Sequence, residues 1–153
     1  MARSIKHLFP KLEVFEFLKE EDYETVEEYM FTYEYEQGAY VFKEGTHGGY
    51  MFFIVEGKAE VLKQIDTKRT TIAILEKGRS LGEMSMLDGG TRSATVKALT
   101  KLTLMVLKRE DFHKLMEEHP KTANSIVVGI ASLLSRSLRN TTSEYTEQVL
   151  SIL

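Results

Sequence analysis

The spacing of hydrophobic and polar residues changes period twice along this chain. Up to about residue 30, Leu12, Phe15, Leu18, Tyr23, Val26 and Met30 recur three to five residues apart, mostly at helical spacing, which predicts short amphipathic helices. Asp22 stands where it could cap the second of them. From Tyr29 the period becomes two. Tyr29, Phe31, Tyr33 and Tyr35 alternate with Met30, Thr32, Glu34 and Glu36, which puts four aromatic rings on one strand face. Further strands are predicted at Tyr40–Phe42, Tyr50–Val55, Ala59–Ile65, Thr70–Leu75, Ser93–Ala98 and Leu102–Leu107. Glycines separate most of them. Many short strands with glycine punctuation predict a sandwich, jelly roll or barrel over residues 29–108.

From about Glu110 the helical period returns. Phe112, Leu115 and Met116 form one short apolar stripe, and Pro120 suits the first turn of a long helix. Ile126, Ile130, Leu133, Leu134 and Leu138 hold the helical period. Helical to Leu150, this element would span roughly 45 Å, beyond the ~30 Å width of a small domain. Part of it should therefore project or find a partner. Ile126, Ile130, Leu133, Ser137, Thr141 and Glu144 approximate an a/d seam whose later positions turn polar. The expectation is a homodimer through the helix at 121–150.

Composition narrows the classes. The chain has 153 residues, one ordinary domain's worth, and neither a linker nor a repeat divides it. We read 1–153 as a single domain: N-terminal helices over 1–30, a sandwich over 29–108 and C-terminal helices over 109–153. There is no cysteine, so disulfide scaffolds, thiolate clusters and cysteine nucleophiles are out. The formal charge of −3 gives no electrostatic footprint for nucleic acid, and none is expected to bind to this chain alone. The charge is uneven: residues 1–60 hold 6 Lys/Arg against 13 Asp/Glu, read as a solvated acidic face. No apolar run reaches membrane-span length, so a soluble, cytoplasmic protein without membrane contact is expected. His7, His47, His113 and His119 are scattered and no His-x-His pair occurs. That argues against a metal-dependent enzyme of the jelly-roll type. We expect no enzyme, no metal and no cofactor.

The stretch Gly78–Leu99, GRSLGEMSMLDGGTRSATVKAL, concentrates the chemistry. An acid, Glu83, and a base, Arg92, bracket Met84-Ser85-Met86-Leu87 and the polar turn Asp88-Gly89-Gly90. This stretch closely resembles the phosphate-binding cassette of the cyclic nucleotide-binding domain family, here at 81–95. That family includes bacterial catabolite activators and the regulatory subunits of protein kinase A. Gly38-x-Tyr40-x-Phe42-x-Glu44-Gly45 and Gly49-Tyr50-Met51-Phe52-Phe53-Ile54-x-x-Gly57-x-Ala59-x-Val61 resemble the family's glycine-spaced strands. Arg109-Glu110-Asp111-Phe112 fits the start of its short helix after the sandwich, and the likeness covers about residues 10–145.

The resemblance implies an eight-stranded antiparallel jelly roll that binds a cyclic nucleotide, with no catalytic residue. Arg92 would pair with the phosphate, because a guanidinium is always charged and presents a fork of donors. The free N–H groups of Met84 and Ser85, at the start of a short helix, would face the same anion, with the Ser93 hydroxyl beside it. Glu83 would accept from the ribose 2′-hydroxyl and could contact Arg92, and Gly82 would let the backbone approach. By register from Leu138, Thr141 and Thr142 match the family's base-contacting pair on the long helix. Family members with Ala after the arginine tend to prefer cAMP and those with Thr cGMP. Ser93 lies between, as in the bacterial activators, and implies cAMP with cGMP as the alternative. The implied mechanism is a sensor whose lid helix rearranges and signals to an effector on another chain. Two alternatives stand beside it: the sensor fragment of a longer transcription regulator whose DNA-binding domain lies elsewhere, or a degenerate domain kept for protein interaction.

Overall fold

The period-two alternation resolves into eight antiparallel strands. The computed structural model describes residues 4–152. The strands are β1 (Met30–Tyr35), β2 (Tyr40–Phe42), β3 (Tyr50–Glu56), β4 (Ala59–Ile65), β5 (Lys68–Leu75), β6 (Ser80–Leu81), β7 (Thr95–Ala98) and β8 (Leu102–Lys108). One sheet has the order β1-β8-β3-β6 and the other β2-β7-β4-β5, the jelly-roll arrangement that was expected. Among the described residues four α-helices accompany them: α1 (Tyr23–Glu28), α2 (Glu83–Asp88), α3 (Arg109–Glu118) and α4 (Pro120–Ile152).

β3 is apolar on both faces because each face meets a different core. Phe52 and Ile54 point into the sandwich, with Val41, Val61, Val96, Leu104 and Val106. Met51 and Phe53 point outward, beneath Phe9, Phe15, Phe112, Leu115, Ile126 and Ile130. β8 divides the same way: Leu104 and Val106 go inward, and Met105 and Leu107 face the helices. A strand covered on both faces reads as a continuous apolar run, and this one carries the helical layer on the sheet's back.

Three expectations are corrected. The N-terminal segment is mostly 3-10 turns, at Lys6–Lys11, Glu13–Phe15 and Glu20–Asp22, with α1 as its single α-helix. Asp22 precedes α1 but its side chain makes no capping bond. Tyr29 ends α1 rather than entering the strand, so three of the four aromatics share the β1 face, and Phe31 and Tyr33 stay largely exposed there.

α4 has two unlike halves. Ala123, Ile126 and Ile130 are buried against the chain's own core, so the first positions of the expected intermolecular seam are used internally. From residue 135 to 152 every position is exposed, including Leu138, Tyr145 and Leu150. Arg136 still pairs with Glu13 and Glu16 of the N-terminal segment, and the remainder, 138–152, is about 22 Å long. No helix among the described residues is long and apolar enough to cross a membrane.

Candidate functional site

The cassette begins where β6 ends. Gly82 takes a left-handed conformation, φ +83°, and turns the chain into α2. The first intrahelical bond there runs from the Met86 N–H to the Gly82 carbonyl, at 3.1 Å, so the N–H groups of Glu83, Met84 and Ser85 lie outside the helix ladder. After α2 the chain doubles back along the β2–β3 loop. The Arg92 N–H donates to the Thr46 carbonyl at 2.8 Å, and the Gly45 N–H to the Arg92 carbonyl at 2.9 Å. Beyond Arg92, the Ser93 carbonyl accepts from the Lys63 ammonium, which is also paired with Glu44 at 2.7 Å. Backbone bonds thus hold both strands of this return, and the Lys63 side chain adds to them.

Arg92 is 3% exposed. Its guanidinium lies between two rings, 4.2 Å from the Phe42 centroid and 4.6 Å from that of Tyr50. Its Nη2 donates to the Tyr50 carbonyl at 2.8 Å. The rings and the carbonyl fix the plane of the fork. The Tyr50 ring is itself tethered, its hydroxyl donating to the Val41 carbonyl at 3.3 Å.

Among the described residues three buried polar side-chain atoms have no protein partner, and two of them lie in the cassette: Nη1 of Arg92 and Oε2 of Glu83. One is a cationic donor and the other an acceptor. Leaving such a group unsatisfied costs about 1–3 kcal/mol, and more when it is charged. No ion pair between Glu83 and Arg92 forms among the described residues, against the expectation of a contact; Arg92 turns to Tyr50 instead. Burial pushes the Glu83 carboxyl above its ordinary value of 4.5, and its own backbone N–H and the nearby Arg92 charge oppose that shift. Burial likewise pulls the Arg92 guanidinium down, against the favourable pull of Tyr50 and Glu83. Both shifts have the sign expected of charged groups held out of water.

Gly82, Glu83, Met84, Ser85, Arg92 and Ser93 line one cleft of about 230 Å³. A larger cleft, about 710 Å³, begins on the other side of Glu83. It runs between Lys11 and Glu13 of the N-terminal segment, Lys77 and Arg79 before β6, and Leu133 and Ser137 of α4. The larger cleft holds Glu83 but not Arg92, which lines the smaller one. Thr141 and Thr142 are not brought to either. They lie one turn beyond Ser137, exposed, with their hydroxyls donating to the Ser137 and Leu138 carbonyls at 3.0 and 2.9 Å.

Sequence reading places Phe42 and Tyr50 in strands and misses their part in the site, as it does that of Gly48. A Cβ at Gly48 would stand 2.3 Å from the Ser85 Cβ and 3.0 Å from Nε of Arg92. Nothing in local spacing links these residues to the cassette. Phe42 and Tyr50 reach it from strands of opposite sheets, and Gly48 from the loop between them, which bridges to the cassette at His47 and Thr91. The described residues contain no group of three or more His, Cys, Asp or Glu able to hold a metal ion.

The family model for the cyclic nucleotide-binding domain matches residues 32–119. The cyclic AMP receptor protein of Thermus thermophilus is 35% identical over 106 residues, covering 69% of this chain and 47% of that protein. Human cGMP-dependent protein kinase 2 is 32% identical over 104 residues, covering 66% of this chain but 13% of the kinase. The chain therefore spans less than half the length of these curated relatives. Among solved structures, a cyclic nucleotide-binding domain from Methylobacillus flagellatus superposes with a TM-score of 0.81 at 28% identity, covering 94% of this chain and 85% of that one. The Thermus thermophilus catabolite activator protein gives 0.80 at 30% identity, covering 90% and 63%. With the jelly roll, the cassette and a family match over more than half its length, this chain belongs to the cyclic nucleotide-binding domain family.

Proposed function

We propose that this domain is a sensor for a 3′,5′-cyclic mononucleotide, with cAMP as its ligand. The observation that carries the reading is the pair of unpartnered buried atoms in the cassette, Nη1 of Arg92 and Oε2 of Glu83. A cyclic phosphate supplies the anion that the first needs, and a ribose 2′-hydroxyl supplies the donor that the second needs. The free N–H groups of Met84 and Ser85 and the Ser93 hydroxyl complete the phosphate shell. With the ribose on Glu83, the base enters the larger cleft towards Ser137 of α4. Arg79 and Lys77 stand at the wall of that cleft. Base contact by Thr141 and Thr142 requires either a second copy or a movement of α4.

Capture of the ligand orders the cassette and shifts the population of α3 and α4 positions, which an effector reads. The proposed homodimer contact uses exposed positions of the helix at 121–150, among them Val128, Leu138, Tyr145 and Leu150, while Ile126 and Ile130 are occupied by the chain's own core. The protein acts by binding rather than by catalysis, in the cytoplasm. Thermal-shift measurements with cAMP, cGMP and cyclic dinucleotides test this reading. A rise in melting temperature with cAMP at micromolar concentrations supports it. Silence with every ligand selects a domain retained for protein interaction alone.

A further inference from the structure

Ser93 lies between two peptide planes that are held by different means. A planar peptide leaves only φ and ψ of the residue between two such planes to aim its side chain. The plane before Ser93 is held by the backbone, where the Gly45 N–H donates to the Arg92 carbonyl at 2.9 Å. The plane after it carries the Ser93 carbonyl, which accepts from the Lys63 ammonium. Ser93 precedes β7, which starts at Thr95, and its side chain lines the cassette cleft. Lys63 is itself tethered. Its ammonium pairs with Glu44 at 2.7 Å, and the other carboxylate oxygen of Glu44 accepts from the Gln64 N–H at 3.1 Å. The Glu44 N–H donates to the Thr95 hydroxyl at 2.9 Å. The hydrogen bond from Lys63 holds the Glu44 carboxyl below its ordinary value of 4.5, so the pair is ionic at neutral pH. Glu44, just after β2, thus fixes the Lys63 ammonium of β4 over the exit of the cassette. The two side chains are 40% and 28% exposed, and an exposed pair of this kind contributes little to stability. Its effect is on where the Ser93 carbonyl points.

We propose that Lys63 is the positioning residue for Ser93: its ammonium sets the second peptide plane and so aims the Ser93 hydroxyl at the ligand's phosphate. This rests on the reading of the cassette as a cyclic nucleotide site. Lys63 acts here through Ser93, not by a direct pull of its charge on the phosphate, and the two routes leave different signatures.

A double-mutant cycle on the full chain, read by calorimetric titration of cAMP, tests it. Lys63→Met, which keeps the length and loses the charge, and Ser93→Ala should each weaken binding about five- to tenfold. The double variant should lose no more than the weaker single variant, because an unaimed hydroxyl and an absent one are equivalent. Lys63→Arg, which keeps a cationic donor, should retain most of the affinity. Lys58→Met removes the same charge from an exposed pair elsewhere, with Glu76 at 3.1 Å, and should bind as the parent does. Parent affinity in Lys63→Met or in Ser93→Ala overturns the inference. Losses that multiply in the double variant overturn it too, since the Lys63 charge would then act on the phosphate directly. An equal loss in Lys58→Met overturns it by making net charge the cause. If Lys63→Met lacks a cooperative unfolding transition, Lys63→Gln takes its place in the cycle and is read by the same criteria. A parent that does not bind cAMP overturns the underlying ligand reading, and the inference with it.

Discussion

A side chain at Gly82 would collide with Arg92: its Cβ would lie 2.3 Å from Nη1 of the guanidinium and 2.8 Å from the Tyr50 carbonyl. The glycine that starts the cassette helix thus also makes room for the cation that ends the cassette. Gly82→Ala should act twice. The left-handed backbone costs about 1–2 kcal/mol for an L-residue, which urea unfolding should register. The displaced guanidinium should weaken cAMP binding at least tenfold. Gly82→Ala with parent affinity would show that Nη1 does not contact the ligand.

The two rings that enclose Arg92 should matter for binding more than for folding. Phe42→Leu keeps an apolar side chain in the sandwich but removes one face of the guanidinium's enclosure. A desolvated cation–π contact contributes about 2 kcal/mol. We expect cAMP affinity to fall roughly ten- to thirtyfold by calorimetry, and thermal stability to fall by a few degrees. A loss of stability with no change in affinity would make Phe42 a packing residue only.

Glu83 gives the ligand-free protein a pH signature. Its carboxyl is held above 4.5 chiefly by burial. A group raised in the folded state contributes stability that is complete below its unfolded value and is lost as pH rises through the folded one. Stability of the ligand-free protein should therefore decline above pH ~4.5 by an amount that Glu83→Gln abolishes. Urea midpoints between pH 4 and 7 check this. Parallel curves for the parent and Glu83→Gln would mean that the carboxyl carries no burial penalty.

The exposed half of α4 should decide the oligomeric state. Leu138 is 68% exposed, and with Tyr145 and Leu150 it lies beyond the part of the helix that packs on the core. Leu138→Asp should turn a dimer into a monomer in sedimentation at tens of micromolar. A parent that sediments as a monomer with and without cAMP would remove the dimer from the reading.

The sequence is most legible where neighbours in the chain are neighbours in space. Gly82, Glu83, Met84, Ser85, Arg92 and Ser93 fall within one short stretch, and the structure gathers them around one cleft. The strands that alternate with turns are legible for the same reason. β6 is not, because two residues carry no period. Phe42, Tyr50 and Gly48 are invisible as site residues because only the packing of the two sheets and the bridge between the β2–β3 loop and the cassette bring them to Arg92. The division of α4 is hidden too: a helical stripe looks alike whether it meets its own core at Ile126 or solvent at Leu138.

Calorimetric titration of cAMP into the parent and into Arg92→Ala tests the central claim most directly. The parent should bind at one site per chain, and Arg92→Ala should lose at least a hundredfold in affinity, about 2.7 kcal/mol, while keeping a cooperative unfolding transition. Equal affinity in the two proteins would contradict it.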